Sequence, residues 1–209
     1  ANCRLPYYIG GVIEERERLF VQTPEAFGKR FNIDVRTESE VIAIDVVAKR
    51  VAVRTADGEE YEESFDKLLL SPGASPVVPP LAGIQSEGIF TLRNVSDTDR
   101  IKQYITERRV RRAVIVGGGF IGLEMAENLK HAGAEVAVVE MAPQVMGPID
   151  YSMAALVHEH LEQQGVKLYL EQAVESFSRD NEELTVHFKS GINLHADMVL
   201  LSIGVRAET

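Results

Sequence analysis

In the second half of the 209-residue chain, short continuous apolar runs alternate with longer amphipathic stretches. Ala113–Val116 and Glu135–Val139 have the length and composition of strands that are buried on both faces of a parallel sheet. The stretch between them predicts a helix that runs to about His131 and stops at Gly133, since glycine readily adopts the left-handed conformation that follows a helix. Strand, helix and strand in this order predict a βαβ unit over residues 114–140 in an α/β, Rossmann-like fold.

The same alternation continues towards the end of the chain. It predicts one further helix, which Gly165 ends, and several extended segments that complete a nucleotide-binding domain. The apolar face of the helix is shared by Met153, Leu156, Val157, His160 and Leu161. The extended segments are Val166–Leu170, Leu184–Phe188, the residues from Ile192 after a Ser190-Gly191 turn, and Met198–Ile203, which Gly204 ends.

The first half has shorter extended segments and more turns. A short helix is predicted from Thr23 to Arg30, with Pro24 preset for its first turn. A small antiparallel sheet is predicted next, with an Asp57-Gly58 turn between two of its strands. The apolar run Leu68–Leu70 is predicted to be buried up to the turn Ser71-Pro72-Gly73. The predicted strands are Val41–Asp45, Arg50–Arg54 and Tyr61–Leu70.

A second helix in this half is predicted to begin near Ser96, which forms a capping-box pattern with Asp99, and to end near Arg108. A basic cluster follows, and it fits either a nucleic-acid patch or cations that stabilise a helix C-terminus. We favour the second interpretation because the chain has 22 basic and 32 acidic residues and a formal net charge of −10. The cluster is Arg108, Arg109, Arg111 and Arg112.

The composition favours small molecules as partners. The acidic excess works against nucleic-acid or anionic-membrane binding, and no apolar run reaches the roughly 18 residues of a membrane helix. A single cysteine excludes an intrachain disulfide framework and fits a reducing cytoplasm, so Cys3 is either inert or chemically special. No metal site is predicted, because His158 and His160 do not share a helical face and no third ligand is evident.

The strongest chemical signal follows the first buried strand of the βαβ unit, where the glycines of a GxGxxG motif occur. Gly117 would allow the tight turn, Gly119 would let the backbone approach a pyrophosphate, and Gly122 would let the helix pack closely. Free N–H groups at the start of that helix bind phosphates. The alternative is a purely structural glycine turn. The motif is Gly117, Gly118, Gly119, Phe120, Ile121 and Gly122.

Two residues at the ends of predicted strands extend this site. Glu140 follows the second strand of the βαβ unit, where a carboxylate can accept hydrogen bonds from the adenosine ribose hydroxyls. It would repel a 2′-phosphate, so NAD is favoured over NADP, although a Lys or Arg from elsewhere could still support NADP. Gly204 can lie beside the ligand crevice, with a structural turn as the equal alternative.

Several separated motifs occur in order along the chain. They are Ala1-Asn2-Cys3, Leu5-Pro6-Tyr7-Tyr8-Ile9-Gly10-Gly11, Phe31-Asn32-Ile33-Asp34-Val35-Arg36, Leu70-Ser71-Pro72-Gly73-Ala74-Ser75-Pro76 and the glycine motif continued to Leu123-Glu124. Together they resemble one family, the single-cysteine branch of flavoprotein pyridine nucleotide–disulfide oxidoreductases. The branch includes coenzyme A-disulfide reductases, NADH-dependent persulfide or polysulfide reductases and NADH oxidase-like proteins, and the resemblance runs along essentially the whole chain.

The resemblance implies two cofactors, NAD(H) and FAD, with Cys3 as the redox-active thiol. Asn2 would help to position coenzyme A or the flavin. The backbone of Val41 would meet the flavin adenine, and the loop of Ser71, Pro72 and Gly73 would lie near the flavin. Glu124 would lie near the nicotinamide and isoalloxazine rings; its alternative is a favourable anion in the first turns of a helix.

The implied activity is hydride transfer from NADH by way of FAD to a disulfide or persulfide on Cys3. An NADH oxidase or peroxidase with a sulfenic-acid cysteine and a non-catalytic nicotinamide-binding module are the alternatives. Residues 1–110 would be an incomplete flavin domain and residues 111–209 the NAD-binding domain, in an internal fragment of a homodimeric protein. Arg4 and Ala207 depart from the family pattern: Arg4 either crowds the cysteine loop or favours the thiolate, and Ala207 should loosen a turn.

Overall fold

The computed structural model describes residues 2–181 and 183–208. Short 3₁₀ turns lie at Asn2–Arg4 and Arg16–Leu19. The α-helices are α1 Leu5–Ile9, α2 Pro24–Phe31, α3 Val95–Arg108, α4 Phe120–His131 and α5 Tyr151–Gln163. The strands are β1 Ser39–Asp45, β2 Arg50–Thr55, β3 Glu60–Ser64, β4 Ala74–Pro76, β5 Ile89–Thr91, β6 Arg112–Val116, β7 Glu135–Val139, β8 Lys167–Tyr169, β9 Val174–Asp180, β10 Glu183–Phe188, β11 Asn193–Ala196, β12 Met198–Leu201 and β13 Val205–Ala207.

The chain forms two compact units. One contains the residues up to Leu19 together with those from Gly73 onward, and the other is Phe20–Pro72. This division by compactness differs from the sequence boundary at residue 110, because Leu5, Ile9 and Leu19 belong to the same buried core as α4. The division of the chain into flavin-binding and NAD-binding parts concerns ligands, and it stays a prediction.

The larger unit is built on a five-stranded parallel sheet with the order β5-β12-β6-β7-β8. Along β6, Ala113 and Ile115 face a core formed with the helices. Val114 faces a second core formed with the antiparallel sheet β11-β10-β9. Helices therefore cover one face and a small sheet covers the other, which is why the strands of this sheet are continuous apolar runs. The α/β fold class predicted from the sequence is confirmed.

The smaller unit contains α2 and the antiparallel sheet β1-β2-β3. Thr23 caps α2 by accepting the Ala26 N–H at 3.2 Å, and Gly58 turns the chain between β2 and β3 with φ +87°. The predicted strand over residues 61–70 is wrong in its second half, because β3 ends at Ser64, opposite Arg50 at the start of β2. Beyond that pair the partner strand has ended, so Leu68–Leu70 is exposed and outside any strand.

The predicted cap of α3 is also wrong by two residues. The helix is capped by Asn94, whose side chain accepts the Asp97 N–H at 2.9 Å, while the Asp97 carboxylate accepts the Asn94 N–H at 3.2 Å. Asn and Ser are equally good caps, and the sequence contains both patterns, two residues apart. Asp99 instead binds the guanidinium of Arg16 at 2.8 Å.

Candidate dinucleotide-binding site

Three glycines of the motif differ in what surrounds them. Gly117 has φ +111°, and a Cβ there would overlap the Ser202 carbonyl oxygen. A Cβ at Gly122 would overlap the Gly117 carbonyl oxygen, so α4 can approach the loop only without a side chain at that position. At Gly119, by contrast, no described atom outside Gly119 and its two chain neighbours lies within 4 Å of the place a Cβ would take. The open space at Gly119 is where a ligand backbone could approach the loop.

The open glycine lies at the N-terminus of α4. Gly119 is the N-cap and supplies no side-chain hydrogen bond to the first turn. Phe120 and Ile121, the next two residues, are 63% and 42% exposed. The first N–H groups of a helix carry a partial positive charge and lack intrahelical acceptors, which suits them to a phosphate. Phosphate binding by this segment of the motif stays a prediction.

Glu140 is tied to the glycine loop as well as placed at the end of β7. Its Oε2 accepts the Gly118 N–H at 2.7 Å, and its Oε1 accepts the Ala142 N–H at 2.9 Å. Each carboxylate oxygen can accept more than one hydrogen bond, so lone pairs remain for hydroxyl donors. The carboxylate therefore has two tasks: it fixes the loop and offers acceptors beside it.

Ser202 is a residue of the loop's surroundings that the sequence reasoning missed. It follows β12, and its hydroxyl lies 3.1 Å from the Val116 carbonyl oxygen and 3.0 Å from that of Gly117, so it donates to this pair. Its backbone N–H donates to Val116 at 2.8 Å. The only sequence signal was its position at the carboxyl end of a buried strand, which is where ligand-site residues of open α/β sheets occur.

Glu124 and Gly204 lie at the edges of this region. Glu124 is half-buried on α4, and burial followed by repulsion from Glu127 raises the pKa of its carboxyl group. Gly204 has φ +120° and accepts the Val77 N–H at 2.9 Å, so a structural turn role is evident for it. Contact of either residue with a nicotinamide cofactor stays a prediction.

Cys3 has an exposed side chain in the first 3₁₀ turn. Arg4 donates from Nη1 to the Arg18 carbonyl oxygen at 2.7 Å, which ties its guanidinium to the second 3₁₀ turn. The side chain of Asn2, predicted to contact substrate, lies outside the described part of the chain. The helix α1, which begins two residues after Cys3, packs on α4. A Cβ at Gly10, the C-cap residue of α1, would lie 2.8 Å from the Asn128 Cβ.

The residues predicted to meet a flavin are exposed. Val41 is 52% exposed in β1, and Ser71 and Pro72 end the smaller unit without regular structure. Gly73, with φ +86°, opens the second segment of the larger unit and accepts the Glu208 N–H at 3.1 Å. Contact of these residues with FAD stays a prediction.

Two arginines of the basic cluster form ion pairs with carboxylates. Arg112 binds Asp197 at 2.9 Å and Glu183 at 2.8 Å, and Arg108 binds Glu87 at 2.8 Å.

Among residues 2–181 and 183–208 no group of three His, Cys, Asp or Glu side chains is arranged to hold a metal ion. In the same ranges no helix has the length and apolar character needed to cross a bilayer.

The parallel sheet and the glycine loop at the helix N-terminus define a Rossmann-like protein of the nucleotide-binding class. Within that class, the chain belongs to the pyridine nucleotide-disulphide oxidoreductase family, whose model matches residues 1–209. The family resemblance predicted from the sequence is confirmed.

Two relatives match over 205 residues, 98% of this chain. One is an NADH oxidase of Methanocaldococcus jannaschii, 38% identical, and the other is a coenzyme A disulfide reductase of Staphylococcus haemolyticus, 36% identical. The chain spans 46% and 45% of their lengths, so it corresponds to less than half of either relative.

Solved structures agree with this placement. Reduced Bacillus anthracis CoADR-RHD superposes with a TM-score of 0.94 at 52% identity, over 100% of this chain and 37% of that one. A NAD-dependent persulfide reductase from A. fulgidus superposes with a TM-score of 0.90 at 36% identity, over 98% of this chain and 38% of that one. A FAD-dependent member of the family from Desulfovibrio vulgaris superposes with a TM-score of 0.67 at 31% identity, over 82% of this chain and 44% of that one.

Proposed function

We propose that this chain binds NADH at the glycine loop of a flavoprotein that reduces a disulfide or persulfide at Cys3. The observation that carries the NADH site is the open space at Gly119, at the uncapped N-terminus of α4, with the Glu140 carboxylate bound to the adjacent Gly118 N–H. Pyrophosphate would lie against the helix N-terminus and the adenosine ribose beside Glu140. NAD therefore fits the residues that the structure describes.

FAD is the proposed second cofactor because the chain belongs to this family, which has a FAD-dependent member of similar structure. The residues proposed to hold it are Val41, Ser71, Pro72 and Gly73. When bound, FAD would supply two-electron transfer between NADH and sulfur. The Cys3 thiolate would attack one sulfur of the acceptor and displace the other sulfur as a thiolate or shortened polysulfide, which leaves a mixed disulfide or persulfide on Cys3. Two electrons would then cleave that S–S bond and return Cys3 as a thiolate. Its exposed thiol is open to a small-molecule disulfide, persulfide or coenzyme A derivative.

A second candidate is an NADH oxidase or peroxidase, in which the same cysteine passes through sulfenic acid. The relative named NADH oxidase, at 38% identity, favours it. The two candidates differ in the acceptor and share the NADH site. Homodimeric assembly and a cytoplasmic location belong to the proposal too, the second supported by the lone thiol.

The NADH site is tested by replacing the open glycine. Gly119→Val should weaken NADH binding, because the side chain fills the pyrophosphate space at a steric cost of about 1–3 kcal/mol, roughly tenfold to hundredfold in Kd. Calorimetric titration of the wild type, Gly119→Ala and Gly119→Val should give a graded loss of NADH affinity. The Tm should fall only slightly and alike in both variants, because Ala and Val are both poorer N-caps than glycine. Undiminished affinity in the valine variant would show that the loop has only a structural role.

The carboxylate is tested by the ratio of two affinities. Glu140→Ala removes the ribose acceptor and also frees the Gly118 and Ala142 N–H groups, so some loss should be common to NADH and NADPH. We expect the preference for NADH over NADPH to fall about tenfold, the value of a hydrogen bond to a charged group. Equal losses for both nucleotides would refute the ribose assignment.

The acceptor is tested by NADH consumption in the presence of FAD. Coenzyme A disulfide and inorganic polysulfide should be reduced faster than oxygen or hydrogen peroxide, and Cys3→Ser should abolish the reaction. Parity or a preference for oxygen or peroxide would favour the NADH oxidase or peroxidase instead. Binding and turnover are separate measurements, so the NADH site can stand where the acceptor assignment fails.

A further inference from the structure

The segment between β7 and α5 holds the middle glycine of the motif from several sides. We call residues 140–149 the covering loop. From this loop, Glu140 accepts the Gly118 N–H at 2.7 Å and Met146 donates its N–H to the Gly118 carbonyl at 2.8 Å. Val145 fills the remaining space, since its Cγ1 would lie 2.8 Å from a Cβ at Gly118. The conformation of Gly118 therefore depends on the covering loop.

The covering loop adopts a conformation that needs support. Met146 has φ +53°, in the left-handed region that is strained for a non-glycine residue and persists only where the surrounding structure holds it. Val145, the residue before it, is fully buried at 0% exposure. The N–H groups of both residues point to acceptors outside the covering loop. The Met146 N–H donates to the Gly118 carbonyl. The Val145 N–H needs an acceptor from another segment.

His158 supplies that acceptor from α5. Its Nε2 accepts the Val145 N–H at 3.1 Å, which places the ring proton on Nδ1. The ring is half-buried, and Tyr151 packs against it edge-on with the ring centroids 6.3 Å apart. Without His158 the Val145 N–H would be a buried donor with no partner, an arrangement that folded proteins avoid. The covering loop would open to solvate it.

We propose that His158 is a positioning residue for the dinucleotide: through Val145 it holds the covering loop against Gly118 and so keeps the phosphate-binding loop in its binding conformation. The inference rests on the proposed NADH site. It assigns to α5, an element with no predicted ligand contact, control over the affinity of the glycine loop. A histidine that only stabilises the fold would change unfolding without changing the covering loop selectively.

The test compares three variants in the 209-residue chain. His158→Leu removes the acceptor, and His158→Gln places a carboxamide oxygen near the position of Nε2. The control, His160→Leu, makes the same substitution at an exposed histidine on a different face of α5. Calorimetry should show NADH binding about tenfold weaker in His158→Leu, restored to within about threefold in His158→Gln, and unchanged in His160→Leu. Affinity equal to wild type in His158→Leu, or equal losses in the Leu and Gln variants, would overturn the proposal.

Amide hydrogen exchange gives a readout that needs no ligand. In the unliganded chain, His158→Leu should speed exchange at Val145, Met146 and Gly118 while the amides of β6, β7 and β12 keep their protection. Faster exchange across the whole sheet would show a general loss of stability and would sink the positioning role. Should wild type fail to bind NADH, the proposed function fails, and the exchange pattern still decides whether His158 holds the covering loop.

Discussion

Two short apolar runs, each followed by a turn that contains glycine, differ in burial: one is buried and the other is exposed. Ala113, Val114 and Ile115 are 2%, 3% and 0% exposed, whereas Leu68, Leu69 and Leu70 are 41%, 87% and 63% exposed. The first run pairs with β12 on one side and β7 on the other. For the leucines, no ladder partner occurs among the described residues. Hydrophobicity and a following turn thus do not make a buried strand; neighbours far away in sequence do.

The contrast extends to the two units that contain these runs. The larger unit has a core on each face of its central sheet. In the smaller unit α2 buries none of its residues, and among the described residues Val51 and Val53 of β2 are its buried apolar side chains, at 9% and 6% exposure. Burial of apolar area is the main source of stability. We therefore expect cooperative stability to reside in the larger unit.

The largest effect should come from truncating the central strand. Ile115→Ala removes buried methylene groups from a residue with 0% exposure, in a core that cannot fully close the cavity, and should cost about 2–5 kcal/mol of unfolding free energy. Urea denaturation followed by circular dichroism measures it. A loss below about 1 kcal/mol would mean that β6 is less tightly enclosed than its burial implies.

A smaller effect, dependent on pH, should come from Asp197, which lies between β11 and β12. Burial alone would raise the pKa of its carboxyl group, but the Arg111 N–H and the Arg112 side chain and N–H, all within 2.9 Å, together lower it. Asp197→Ala should cost about 1–3 kcal/mol at neutral pH, since it leaves the Arg111 and Arg112 N–H groups without their side-chain acceptor.

The sign of the pH dependence follows from the lowered pKa. A group with a depressed pKa in the folded state contributes stability that is fully present above its unfolded value, about 3.9 for Asp, and is lost as the pH falls through the folded value. The stability difference between wild type and Asp197→Ala should therefore narrow as the pH drops below about 4. Asp180→Ala, at an exposed aspartate, is the control, expected within about 0.5 kcal/mol of wild type at all pH values.

The sequence was sufficient where a local signal and long-range burial coincide. The βαβ unit and its glycine turn follow from apolar periodicity and stop signals. The same signals predicted α5, but its apolar face was predicted wrongly: Met153 and Leu156 are 56% and 59% exposed, whereas Ala154 and Leu161 are buried. Missed elements are short and depend on distant partners: β4 pairs with β13, Ser75 opposite Arg206, and β5 pairs with β12. These three-residue strands carry too little pattern of their own to be predicted, whereas β8, of the same length, lies within the extended segment Val166–Leu170 predicted after the Gly165 stop signal.

The candidate site divides in the same way. The glycines and Glu140 could be read from the sequence because each role requires one residue type at one spacing. Ser202 and His158 could not, since a hydroxyl at the end of β12 and an imidazole on α5 acquire their tasks from backbone groups of other segments, Gly117 and Val145. Side chains that serve the backbone of a distant loop leave no motif.

The smallest expected effect completes the comparison with the central strand. Leu69→Ala removes a side chain of the same volume class as Ile115 from a residue that is 87% exposed, so little apolar area returns to water on unfolding. The change in unfolding free energy should lie within about 0.5 kcal/mol of zero, against the loss of several kcal/mol at Ile115. A large loss at Leu69 would show that the run is covered in solution, and light scattering of both proteins would then reveal whether self-association provides the cover. The difference in unfolding free energy between Leu69→Ala and Ile115→Ala therefore tests whether an apolar run is buried only where neighbouring strands pair with it.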